Sequence, residues 1–144
     1  MPIAERLSRI WRSTRALPLW VQLWVVLLIA VNTAAFFMTG TPTGQWTAIA
    51  WVFVMIANTV IPWASAGITR AMSLPHVIWL PLVGWLVWRL WLGGAPAPMG
   101  TEATYALIVI VVNGISLAFD AVDSWKWLKG EREVVGATGA GSGS

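Results

Sequence analysis

The chain has 144 residues, 58% of them hydrophobic and 10% charged, with a formal net charge of +3 and no cysteine. An ordinary soluble domain carries about 25% charged residues, so this is the composition of a membrane protein. Without cysteine there are no disulfides, thiolate metal sites or cysteine nucleophiles. A single histidine, His76, cannot ligate a haem on both faces, so no cofactor is implied.

Each membrane-spanning helix takes about 20 residues, which leaves room for one compact bundle and no separate soluble domain. Residues 1–17 read as an amphipathic interfacial helix, with Ile3, Leu7, Ile10 and Trp11 at helical spacing and Arg6, Arg9, Arg12 and Arg15 on the opposite face. Pro18 opens a four-span domain over residues 18–130. The first span is predicted at about 19–38 and is too long for a signal-peptide core, so it is retained. A turn over residues 39–44 leads to a second span at about 45–64, with Pro62 at its end or at a kink. The third, at about 74–92, carries Pro75 in its opening turn, Pro81 as an expected kink and Gly84 as an expected point of close approach. After a Gly/Pro loop, Thr101 is the expected N-cap of a fourth span at about 101–123, and Glu102 complements the positive end of its dipole. Residues 131–144 are expected to be disordered, and their Gly-Ser-Gly-Ser end has the composition of an appended linker. The fold class is thus an all-α integral membrane protein, a four-transmembrane-helix bundle preceded by a short amphipathic interfacial helix.

The cations set an orientation. Arg6, Arg9, Arg12, Arg15, Arg70, Lys126, Lys129 and Arg132 fall on one side of this four-span topology and only Arg89 on the other. This predicts both termini in the cytoplasm, in the cell (inner) membrane. The basic face then meets anionic lipid headgroups rather than nucleic acid. Of the twelve tryptophans, Trp20, Trp63, Trp125, Trp127, Trp46, Trp88 and Trp91 suit the two interfaces. Trp24, Trp51, Trp79 and Trp85 lie deeper and are expected either to pack between helices or to face an apolar ligand.

Polar residues inside the spans are the main functional clue. At 100° per residue, Glu102, Asn113, Ser116, Asp120 and Asp123 fall within an arc of roughly 80°. Gln22, Asn32 and Thr39 share a face of the first span, and Thr47, Asn58 and Ser65 share one of the second. The economical arrangement joins the polar faces of spans one, two and four and leaves the third peripheral. Asn32, Asn58 and Asn113 then serve either as interhelical glue or, with Ser116, as the lining of a path for an ion or solute. Asp120 and Asp123 would form its acidic mouth. They could also hold a cation, since carboxylates and amides supply the oxygens that hard cations prefer. Asp123 has Lys126 nearby in sequence, whereas Asp120 has no cation at helical spacing, and Arg70 and His76 are the available partners from elsewhere. Arg89 is expected to snorkel or to pair with Glu102 across the Gly/Pro loop. No phosphate-binding loop, metal-ligand spacing or catalytic constellation appears, so an enzyme is not expected. The reading that results is a homo-oligomeric channel or transporter for a cation or small polar solute. The alternatives are a non-transporting accessory or scaffold subunit and an apolar-ligand or lipid-binding membrane protein.

Overall fold

The computed structural model describes residues 1–137, and among these every regular element is helical. Helix α1 (Ile3–Arg15) precedes α2 (Leu19–Thr33), which starts directly after Pro18 and tightens into a 3-10 turn at Ala34–Phe37. Helix α3 (Pro42–Ser65) starts three residues before Gln45. Proline at its first position has no donor to lose, and the Thr41 hydroxyl caps it by accepting from the Gly44 amide at 3.1 Å. Pro62 lies within α3, which runs on to Ser65 and closes at Ala66 in the left-handed region (φ 52°).

The third apolar segment differs most from expectation. It begins at Arg70 as a 3-10 helix, Arg70–Ile78, and becomes α4 (Trp79–Trp91) one residue later. Pro81 therefore falls in the first turn of α4, where a missing N–H is harmless, and the change of winding precedes it. A Cβ on Gly84 would meet nothing within 4 Å, so no neighbour approaches there. Helix α5 (Gly100–Leu128) begins after Met99 with no side-chain cap. Thr101 is already inside it, and Glu102 is engaged elsewhere.

Four segments are long and apolar enough to cross a membrane: Leu19–Phe37, Pro42–Ser65, Arg70–Trp91 and Gly100–Leu128. Contrary to expectation, the third is not peripheral. It packs against both α3 and α5, and its Trp79 and Leu86 are fully buried. The segment that buries least of its apolar length is the first, at 17% against 28–33% for the others. The misplacement has a physical cause: the third segment carries no asparagine of its own, and it is held by the buried Trp79, Leu82 and Leu86 together with His76 and Arg89, whose partners lie on α3 and α5. Of the deep tryptophans, Trp51 and Trp79 are buried and Trp24 and Trp85 pack against the core. The Trp51 indole donates to the Thr33 hydroxyl at 3.2 Å.

Part of the expected disordered tail is held in place. The Val135 amide donates to the Ile68 carbonyl at 2.9 Å, and the Ser13 hydroxyl donates to the Val135 carbonyl at 2.8 Å while accepting from the Ile68 amide at 2.9 Å. Ser13 thus joins α1, the connector after α3 and the segment after α5 at one point. The remainder of that tail, residues 138–144, lies outside the described residues.

Two glycines give opposite expectations. A Cβ on Gly44 would sit 2.0 Å from the Met38 carbonyl oxygen, a backbone atom that cannot rotate away. Gly44→Ala should therefore destabilise the protein by about 1–3 kcal/mol. Gly84→Ala, in open space on a helix, should leave stability unchanged or raise it by up to about 1 kcal/mol. Unfolding in mixed micelles measures both.

Candidate functional site

The helices carry their polar side chains in three layers. For reference, the end of the bundle bearing α1 and Arg70 is the basic end, and the end bearing the loops around Thr41 and Pro96 is the opposite end.

At the opposite end Arg89, on the last turn of α4, is only 1% exposed. Its Nη1 donates to Glu102 Oε1 at 2.9 Å and to the Thr43 hydroxyl at 3.0 Å, and its Nε donates to the Pro96 carbonyl at 2.8 Å. Its guanidinium carbon lies 4.7 Å from the centre of the Trp85 ring. Thr43 completes the cluster by donating to Glu102 from its hydroxyl at 2.7 Å and from its amide at 3.2 Å. Arg89 thus pairs with Glu102 rather than snorkelling, and α3, α4, α5 and the Gly/Pro loop meet at one charge pair. Thr43 is the member that sequence reasoning missed, because it was placed in a loop ahead of the second span. The Thr-Pro pair at residues 41–42, a cap followed by a first-turn proline, was the signal that it belongs to the helix.

The middle layer is a closed pair. Asn32 Nδ2 donates to Asn113 Oδ1 at 2.9 Å, Asn113 Nδ2 returns a bond to Asn32 Oδ1 at 2.9 Å, and both residues are 0% exposed. Asn32 also donates to the Leu28 carbonyl, and the Tyr105 hydroxyl donates to the Val31 carbonyl, so α2 and α5 are joined here. The polar faces of spans one, two and four do not form one continuous line. Gln22 and Ser65 bond to nearby backbone carbonyls, the Thr47 hydroxyl is buried without a partner among the described residues, and Asn58 belongs to a different layer.

Near the basic end is the layer with titratable chemistry. His76 Nδ1 lies 2.9 Å from Asp120 Oδ2, and His76 Nε2 lies 3.0 Å from Asn58 Nδ2. The Ser116 hydroxyl donates to Asp120 Oδ2 at 3.3 Å. The imidazole stacks on the Trp79 ring, with centres 4.4 Å apart and planes 12° from parallel. The His76 and Asp120 side chains are 12% and 13% exposed, so the pair is mostly, but not wholly, withdrawn from solvent. One turn further on, Asp123 pairs with Arg70, whose Nε also lies 3.4 Å from Glu131. Lys126, the sequence-local candidate, makes no ion pair with Asp123 among the described residues. Asp120 and Asp123 are thus engaged by separate partners. No group of three or more histidine, aspartate or glutamate side chains among the described residues is placed to hold a metal ion.

Apart from these layers, an apolar groove of about 360 Å³ runs between α3 and the start of α4, lined by residues that include Trp46, Ile49, Leu82 and Trp85. Its walls suit a hydrocarbon chain and offer little to a polar solute. Comparison with protein-family models, with curated proteins and with solved structures gives no match.

Removing one member of a buried ion pair leaves the other charge uncompensated, at a cost of about 3–5 kcal/mol. Arg89→Met should destabilise the protein by about that amount, and adding Glu102→Gln should recover part of the loss. A double-mutant cycle on unfolding free energies checks both, and additivity would show that the pair is not coupled.

Proposed function

We propose that this chain is a multi-pass membrane protein that moves a cation or small polar solute, with the cluster of Asn58, His76, Ser116 and Asp120 as its binding locus. The observation that carries this reading is the His76–Asp120 pair. Amides such as Asn32 and Asn113 join helices without any charge. An imidazole and a carboxylate in an apolar bundle are costly to bury, and inside a membrane such residues mark ion and proton pathways.

Insertion in a membrane is supported by the four long apolar helices; the reading places it in the cell (inner) membrane. An orientation with both termini in the cytoplasm is supported by the concentration of lysine and arginine at the end that holds α1 and Arg70. The closed Asn32–Asn113 pair offers no through-path within one described chain. Movement of solute in this reading therefore needs that pair to open or a second copy to complete the path. In this reading the lightly buried α2 supplies the face on which a second copy would pack.

Flux into liposomes containing the purified chain is the test. The expected result is uptake above empty vesicles that falls at least about tenfold in His76→Ala and Asp120→Asn, as loss of an essential proton-bearing group commonly gives. Thr59→Ala, whose exposed hydroxyl bonds only its own helix at the Met55 carbonyl, should leave uptake unchanged. Absence of flux, or full flux in both site variants, overturns the reading.

A further inference from the structure

We propose that the cation bound at this cluster is a proton, taken up on Nε2 of His76 and signalled by a half-turn of the Asn58 carboxamide. The inference names the species for the site proposed above and rests on that reading for its role in transport. Proton binding itself is measurable without flux.

The hydrogen bonds around the ring fix its chemistry. An ionised Asp120 only accepts, so the contact at 2.9 Å requires the hydrogen on His76 Nδ1. A neutral ring then has a bare lone pair at Nε2, which accepts from Asn58 Nδ2 at 3.0 Å. In this arrangement Asn58 Oδ1 is buried with no partner among the described residues. Adding a proton at Nε2 sets two donors face to face. Turning the carboxamide by 180° exchanges its oxygen and nitrogen, whose positions are nearly equivalent, and Nε2–H then donates to Oδ1 over about the same separation. Each arrangement leaves one end of the amide unpartnered, the carbonyl in the first and the NH2 in the second. The charge on the imidazole therefore decides which one is occupied.

The surroundings suit a proton better than a metal ion. Hard cations need a cage of oxygens, and here an imidazole stands between Asn58 and Asp120 while the Ser116 hydroxyl already donates to Asp120. The imidazolium form instead has the Asp120 carboxylate at Nδ1 and the Trp79 π face against the ring. Other charges do not compete. Helix α3 carries no ionisable side chain, and α4 carries only Arg89, held by Glu102 at the opposite end. On α5, Asp123 is occupied by Arg70, which also meets Glu131, and Lys126 lies nearly two turns beyond Asp120 on the way out of the bundle. The balance is simple: one proton from water forms one N–H bond, and nothing is oxidised or reduced.

His76 is the only histidine in the chain, so a ring-labelled sample gives an unambiguous signal. The experiment is nitrogen-15 NMR of the full chain in lipid nanodiscs across the range in which histidine exchanges protons, about pH 5 to pH 8. The expected high-pH spectrum has a protonated Nδ1 and a bare Nε2. On acidification Nε2 should move to the protonated position, and the Asn58 side-chain amide signal should move with the same midpoint. In Asp120→Ala the neutral ring should carry its hydrogen on Nε2, which then donates to Asn58. Three results in the wild-type chain overturn the proposal, whether or not the variant folds: a ring that keeps one state throughout, a neutral ring protonated at Nε2, or an Asn58 amide that does not respond. A titrating ring in a chain that shows no flux would remove the transport reading and leave the proton site standing. Flux with a silent ring would do the reverse.

Discussion

A polar side chain on an apolar helix needs a hydrogen-bond partner, on its own backbone or on a neighbouring helix, because an apolar interior supplies none and an unpaired group costs several kcal/mol. Where the partner lies on another segment, the bond also ties the bundle together. In the membrane setting proposed above such ties matter the more, since lipid is as apolar as leucine and helices in it gain little by hiding leucine from their surroundings. Arg89 is the severest case: its guanidinium, 1% exposed, draws α3, α4, α5 and the Gly/Pro loop together. The Asn32–Asn113 pair draws α2 onto α5, and His76 draws α3 and α5 onto the 3-10 segment that begins the third span.

The three layers differ in what can change them. Arginine stays charged at all relevant pH values, so the opposite end is a permanent lock. The paired carboxamides have no charge to lose, and their reciprocal bonds satisfy each other within the middle of the bundle. Only the layer near the basic end contains an imidazole, a side chain that can hold a proton on either or both of its ring nitrogens. It is also the layer built on the 3-10 stretch Arg70–Ile78, beside the connector held down by Ser13 and Val135. A change of charge at His76 thus arises on that stretch, and it is separated from the far lock by the closed amide pair.

Much of this was legible in the residues. Continuous apolar runs bounded by prolines and glycines placed four long helices to within a few residues. The lack of a cation near Asp120 pointed to His76 and Arg70 as partners from elsewhere, and the structure brings His76 to Asp120 and Arg70 to Asp123. The arrangement of the helices was not legible. A wheel drawn at 100° per residue misplaces side chains on a segment that winds at three residues per turn over Arg70–Ile78. An asparagine on a helix states that it needs a partner but not which one, so Asn32, Asn58 and Asn113 looked like one line although they belong to two layers. The tie made by Ser13 was invisible for a related reason. Its partners, Ile68 and Val135, contribute backbone groups that every residue possesses.

The central claim is that the polar faces are divided: a dry amide pair in the middle and a water-reachable ionisable cluster near the basic end. Water-edited solid-state NMR of the chain in lipid bilayers tests it without any substitution, by following polarisation from water into named side chains. The account predicts rapid build-up on Asn58, His76 and Asp120 and slow build-up on Asn32 and Asn113. Equal build-up on Asn32 and Asn113 would mean that the amides line a hydrated path, and the division into sealed and reachable layers would be wrong.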